Sequence, residues 1–459
     1  MIMNYKESID WLFELTNYEV TKDSDNNHEL QISGRNRRFD LSRVYKVLDS
    51  LGSPQDTGLI IHIAGTKGKG TTAALLYTVL TANGYNTGLF TSPHLHSIRE
   101  RISVNGENLT ETEFADVATT VNQVVQTHNT NNPNDKITTF EALTCMAFVA
   151  FKNSKVDIQI IETGLGGRLD STNVVNSSIV GITSISEDHT EILGETLPEI
   201  ANEKLGIVKT GAHVVSSPQD STVVPLITDF CNDQQASLTL VGKDIHVSRT
   251  SNSMLGQEFR VWGYVGDRPI DHALRTSLLG EYQLENAAVA IGILERVRDL
   301  GYPVAYDKIL LGFNNIEWPG RFEILKETPL VIADGAHNPY SAMRLVETLA
   351  TDFPDMPVQM VVGLSEDKDG SAMARELSQL AKGVIVTKSK HPRSMSTEQI
   401  EDFFWETGIP VRTESTIESA IDRAIIQTPK NGIVLITGSL FVVAEAREYL
   451  LEIDPIDTT

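Results

Sequence analysis

The stretch IHIAGTKGKGTTAALLYTVL, residues 61–80, joins an apolar run to a segment of helical period through a turn holding Gly65, Gly68, Gly70, Lys67 and Lys69. At a strand-to-helix turn the backbone N–H groups point outward, and glycine lets phosphate oxygens approach them without a Cβ in the way. Lys69 is placed to reach the β- and γ-phosphates of a nucleotide, and the Thr71 hydroxyl to meet Mg²⁺. The segment that follows sets Leu75, Leu76, Val79 and Leu80 at core-facing spacing and stops at Gly84. The spacing departs from GxxxxGK[ST]: Ile63 stands where the first glycine belongs, and Gly70 separates Lys69 from Thr71. On the residues alone, a phosphate loop and a plain glycine-rich turn both stand.

Working outward, short apolar runs ending in Gly, Ser or Thr alternate with helical segments. They include LIIHIAG near 59, YNTGLFTSP near 85, VDIQIIETG near 156 and SSIVGITSI near 177. Strands alternating with helices predict a mostly parallel sheet covered on both faces, with ligands at the carboxyl ends of the strands. A second series, PLVIADGAH, VQMVVGLSEDKD, GVIVTKSKHPRS and GIVLITGSLF, follows Gly320. The expected architecture is α/β: a larger mostly parallel sheet domain over 1–312, of the P-loop ATPase type where the glycine turn is read as a phosphate loop, a linker over 313–320 and a smaller Rossmann-like domain over 321–459. The linker is read from GFNNIEWPGRFE, where an Asn-Asn pair and Pro319-Gly320 break regular structure. Residues 240–275, polar with some alternation, read as a peripheral β insertion.

At 459 residues two domains are the default, and 41% hydrophobic with 22% charged residues describes a globular chain. Two cysteines, Cys145 and Cys231, are too few for a disulfide scaffold or zinc cluster and read as buried small side chains in a reducing compartment. A formal charge of −23 disfavours nucleic acid and anionic membranes as partners, while an anionic small substrate requires local cations or a metal. The amino terminus, MIMNYKESIDWLF, lacks the apolar core of a signal peptide, and no stretch reaches the roughly 18 apolar residues of a membrane span. The expectation is a cytoplasmic protein.

Three further strand ends place Ser92 in TSPHLHSIRERISVNGE, Glu162 in ETGLGGRLDSTN and His189 in SEDHTEILG at the ligand-binding edge of the sheet. Oxygen ligands suit Mg²⁺, which keeps waters and bridges carboxylates to phosphates. Each residue alone has an ordinary alternative: a turn serine, a surface acid, a loop histidine. In TLPEIANEKLGIVK a Thr196–Glu199 capping box starts a helix. Lys204 lies one turn beyond Ile200, on a face where a lysine is ordinarily solvated.

GTKGKGTT, FTSPHL with ERISVNGE, ETGLGGRLDSTN, SEDHTEILG, EKLGIVK, WPGRFE, DGAHNP and TGSLF together resemble the folylpolyglutamate synthases and bifunctional dihydrofolate synthases of the Mur ligase superfamily. The likeness covers roughly residues 35–445, and ETGLGGRLDSTN and TSPHL resemble the folate branch more than the cell-wall branch. It implies an ATP-dependent, amide-forming ligase that joins L-glutamate to the carboxylate of folate or dihydropteroate, with the smaller domain closing over the larger. Gly65, Thr66, Lys67, Gly68, Lys69, Gly70 and Thr71 would hold the ATP phosphates, with Asn286, Arg321 and Asp334 as further ATP contacts. Ser92, Glu162, His189 and a carbamylated Lys204 would hold Mg²⁺, two ions being expected, and the family leaves room for a monovalent cation. Lys69, Lys204 and His337 form the implied catalytic group. Phe39, Asp40, Leu41 and Thr138 match dihydropteroate-binding positions. Tyr282 stands where the family usually has histidine. A monomer is implied, with no nucleic acid and no membrane as partners. The competing readings are a Mur-type ligase acting on a cell-wall precursor and a nucleotide-binding regulator without catalysis.

Overall fold

The computed structural model describes residues 2–16 and 40–453. An eight-stranded sheet is built from β1 (Leu59–Ala64), β2 (Thr87–Phe90), β3 (Ile102–Val104), β4 (Glu107–Asn108), β5 (Ile158–Glu162), β6 (Ile179–Ile182), β7 (His213–Ser216) and β8 (Ser237–Leu240). Its order is β4-β3-β2-β5-β1-β6-β7-β8, with only β3 and β4 antiparallel to their neighbours. β1 lies centrally, pairing Ile61 with Ile160 of β5 on one side and with Ile179 of β6 on the other. The chain steps outward in opposite directions from it, and such a switch point opens a crevice at the strand carboxyl ends.

Every residue of β1 is buried because helices cover both faces. Ile61 and Ile63 join a core with Leu75, Leu76, Val79 and Leu80 of the Lys69–Ala82 helix. Ile60 faces the other way, into a core with Phe148 and Phe151 of the Thr139–Asn153 helix. Cys145 and Cys231 are free and buried, as read from the sequence. The insertion expected at 240–275 is a three-stranded antiparallel sheet of β9 (Ile245–Ser253), β10 (Gly256–Val265) and β11 (Arg268–Thr276). Its Phe259, Val261 and Leu274 pack into the same core as the Glu281–Asp299 helix.

A separate six-stranded sheet follows: β12 (Glu323–Glu327), β13 (Leu330–Asp334), β14 (Val358–Val362), β15 (Ala381–Val386), β16 (Val411–Thr413) and β17 (Ile433–Thr437). Its order is β12-β13-β17-β14-β15-β16, parallel except for β12. Between the sheets the Tyr306–Asn314 helix runs into the segment read as linker and ends at the Asn-Asn pair. No described helix is long and apolar enough to cross a membrane.

Candidate functional site

One cavity of about 1010 Å³ opens where the strands of the larger sheet end and the smaller sheet faces them. Gly65 to Thr71, Ser92, Thr138, Glu162, His189, Lys204, Asn286, Arg321, Asp334 and His337 all line it, although they come from points 272 residues apart in the chain (Gly65 to His337). Asp40 and Leu41 are not among the described residues that line it. Asp40 accepts from the Ser42 N–H at 2.8 Å and the Ser42 hydroxyl at 2.9 Å just ahead of the Ser42–Ser50 helix, and Leu41, the N-cap of that helix, packs against the core behind it. Phe39 lies outside the described residues.

The loop is held by the end of β6. The amides of Thr66 and Lys67 donate to the Ser184 carbonyl at 2.8 and 3.2 Å. The helix then begins at Lys69 with Gly68 as its N-cap, so the amides of its first turn have no intrahelical acceptor and form an anion-binding end. Gly68 has φ +88°, and a Cβ there would come 2.1 Å from Asn286 Oδ1. The loop lies against Asn286, whose amide donates to Gln283 Oε1 at 2.9 Å.

Lys69 Nζ donates to the Gly65 carbonyl at 3.3 Å and stands 4.0 Å from Glu162 Oε1. Glu162, at the end of β5, accepts from the Ser92 N–H at 3.1 Å. Burial pushes its carboxyl above the ordinary range, and Lys69, the Ser92 N–H and Arg321 oppose that push. Lys204 is 3% exposed, in the last turn of the Leu197–Leu205 helix, so it is not the solvated cation that is the ordinary alternative on that face. Its Nζ donates to the Gly65 carbonyl at 3.0 Å. Burial, with Lys69 nearby, pushes its ammonium down to about 7.

His337 donates from Nδ1 to the Gly335 carbonyl at 2.8 Å, which leaves Nε2 to accept from Lys67 Nζ at 2.9 Å. Burial holds the ring well below the ordinary histidine range, so it is neutral and its lone pair is engaged. His337 thereby positions Lys67. His189 sits in a left-handed conformation at the start of a short helix, its ring 3.9 Å from Asp188. Thr138 lines the cavity and caps the Thr139–Asn153 helix through Glu141.

Sequence reasoning missed the residue that draws these groups together. Asp188 binds Lys67 at 3.0 Å from the loop, Asn338 Nδ2 at 2.9 Å and Lys368 at 3.4 Å from the smaller sheet's segments. Burial alone would raise its carboxyl, and Lys67 and Lys368 outweigh that and hold it far below the usual range. Its one signal is the acidic residue beside His189 at a strand end. Arg344 was also missed: it pairs with Glu285 at 3.1 Å and lies 6.0 Å over the ring of Tyr282, the residue in the place of histidine. Two polar clasps flank the cleft, Arg249 to Asp352 at 2.6 Å and His96 to Glu448 at 3.1 Å.

Among the described residues no three His, Cys, Asp or Glu side chains converge into a ready cage. A buried carboxylate with a serine and an imidazole lining the same cavity fits Mg²⁺, which keeps waters and takes phosphate oxygens as ligands. The loop, the helix end and two lysines fit a nucleotide's phosphates.

The chain belongs to the Mur ligase family. Residues 63–294 match the Mur ligase middle domain and residues 320–440 the Mur ligase glutamate ligase domain. Within that family it is 32% identical over 415 residues to a dihydrofolate synthase/folylpolyglutamate synthase of Bacillus subtilis, covering 89% of this chain and 94% of that protein. It is 31% identical over 455 residues to a probable bifunctional folylpolyglutamate synthase/dihydropteroate synthase of Halobacterium salinarum, covering 97% of this chain. The match spans about half of that relative, 51% of its length. The fold matches the Mycobacterium tuberculosis folylpolyglutamate synthase complexed with ADP and AMPPCP at TM-score 0.84 and 31% identity, over 93% of this chain and 98% of that one.

Proposed function

We propose that this chain is an ATP-dependent ligase that adds L-glutamate to the free carboxylate of a folate, with dihydropteroate as a second acceptor, and that it works as a monomer of two units joined at 313–320. The observation that carries this reading is the single cavity that gathers the phosphate loop, Glu162, Lys204, Arg321 and Asp334 from both sheets. The names of the relatives favour the folate acceptor over a cell-wall precursor.

A carboxylate resists attack by an amine because an oxide would have to leave. In the proposed reaction an acceptor carboxylate oxygen attacks the γ-phosphorus of ATP, and ADP leaves. The glutamate amine then attacks the acyl carbon, and phosphate departs carrying that carboxylate oxygen while the amine gives up a proton. The first step needs positioning and neutralisation of charge. Lys69 and the first-turn amides hold the phosphates, His337 and Asp188 hold Lys67 beside them, and Arg321 and Asp334 approach from the smaller sheet. Mg²⁺ held by Glu162, Ser92 and His189 would supply electrostatic stabilisation of the transferring phosphoryl group. Closing the cleft excludes water from the activated acyl group.

Lys204 is proposed to carry a carbamate. Its amine is buried and pushed to about 7, so much of it is neutral and able to add CO₂ with loss of a proton. The resulting anion would stand near Lys69 and give a second Mg²⁺ an oxygen ligand.

The test supplies ATP, Mg²⁺ and L-glutamate with dihydropteroate in one reaction and tetrahydrofolate in another, and measures phosphate. Release that requires both glutamate and an acceptor is expected, and the ratio of the two rates assigns the preferred acceptor. Release indifferent to both acceptors rejects the proposal.

A further inference from the structure

Gly70 is the residue that takes this loop away from the usual lysine-then-hydroxyl spacing, and the phosphate contacts leave it unexplained. Its backbone is helical, within the first turn of the Lys69–Ala82 helix. Any residue adopts that backbone conformation, so the conformation does not call for glycine. Space does. A Cβ on Gly70 would come 2.8 Å from Trp318 Cζ2 and 3.5 Å from Glu162 Oε2.

Trp318 belongs to the segment joining the two sheets and sits midway between two anchors. On one side Ile316 is buried in the larger sheet's core, and its carbonyl accepts from Ser277 Oγ at 2.8 Å. On the other, the Gly320 carbonyl accepts from the Gly335 N–H at 2.9 Å, and the Gly320 N–H donates to Glu323 Oε2 at 2.7 Å. The indole therefore rests on the phosphate-loop backbone, packed against the core that holds Leu75 and Leu76, while its chain neighbours run directly to Arg321 at the cavity wall.

We propose that the Gly70–Trp318 contact couples the phosphate loop to the linker, with Trp318 a positioning residue that sets Arg321 and Asp334 over the cavity when the loop engages phosphates. The inference rests on the ATP-binding reading above. Contact without a methyl's clearance means that a displaced Gly70 displaces the ring, and the ring has only two residues of chain before the Gly320 anchor. A side chain at position 70 would wedge the indole away and fix the linker irrespective of the nucleotide.

The test compares the full chain with Trp318→Ala, Gly70→Ala and the double variant, measuring equilibrium binding of Mg²⁺–AMPPCP and steady-state kcat. Trp318→Ala is expected to keep the nucleotide Kd within about threefold while kcat falls about tenfold or more, the pattern of a lost transition-state arrangement. Gly70→Ala is expected to weaken binding by about tenfold, and the double variant to bind like Trp318→Ala because the methyl then has room. General loss of stability would not produce that recovery. Should Trp318→Ala fail to fold, Trp318→Leu takes its place in both arms. A Trp318→Ala kcat within about twofold of the parent, or a double variant binding as weakly as Gly70→Ala, overturns the coupling alone. A parent chain that binds no nucleotide overturns the ATP reading and the coupling with it.

Discussion

Gly68→Ala probes the phosphate loop where the structure gives the least room. Two costs add. The backbone has φ +88°, and a left-handed conformation costs a residue bearing a Cβ about 1–2 kcal/mol. The new methyl would stand 2.1 Å from Asn286 Oδ1, about 1 Å or more short of an ordinary contact, so the loop or Asn286 has to move by about that much. Asn286 is buried and tied to Gln283, which directs the movement into the loop. Displacement of catalytic groups by about 1 Å costs on the order of 10²-fold in rate. The expected outcome is a kcat about 10²-fold below the parent in phosphate release at saturating ATP, with a melting temperature lowered by only a few degrees. A variant with kcat within about threefold of the parent would refute both the tight approach and the loop's role.

Lys69→Met removes the cation nearest Glu162, and kcat should fall by about 10²–10³-fold with the melting temperature unchanged, as when one donor to a developing charge is lost; an unchanged kcat assigns the phosphates elsewhere. Lys204→Ala should abolish turnover and recover part of it with added short carboxylic acids, whereas no recovery removes support for the carbamate. Glu295 tests stability away from the site. Burial would raise its carboxyl, but His272, Arg298 and Arg268 hold it down at about 2, so its contribution is complete above pH 4.5 and is lost as pH falls through 2. Glu295→Gln should therefore lower stability by about 2 kcal/mol at pH 7 in denaturant melts, the gap closing below pH 4.5; a gap that does not change between pH 7 and pH 2 contradicts the assignment.

The parts of this protein legible in its sequence are those set by local periodicity. β1, the glycine loop and the Lys69–Ala82 helix follow one another as the residues suggest, and the Thr196–Glu199 box starts its helix where expected. The short strands β3, β4, β12 and β16 escaped because two to five residues carry little alternation. The burial of Lys204 was hidden for a different reason: nothing within its own helix says that the Gly65 loop lies over it. Asp188, Trp318 and Arg344 share that cause. Each owes its place to packing between segments far apart in the chain, where charge complementarity or the absence of a Cβ decides the contact. Asp40, a position matched by resemblance, has its carboxylate engaged by Ser42 at the head of a helix.

The most direct test labels both oxygens of the acceptor carboxylate with ¹⁸O and examines the phosphate released by mass spectrometry. Activation by γ-phosphoryl transfer predicts one ¹⁸O in each phosphate formed, in step with glutamate incorporation. Phosphate free of label alongside the same product would contradict the account.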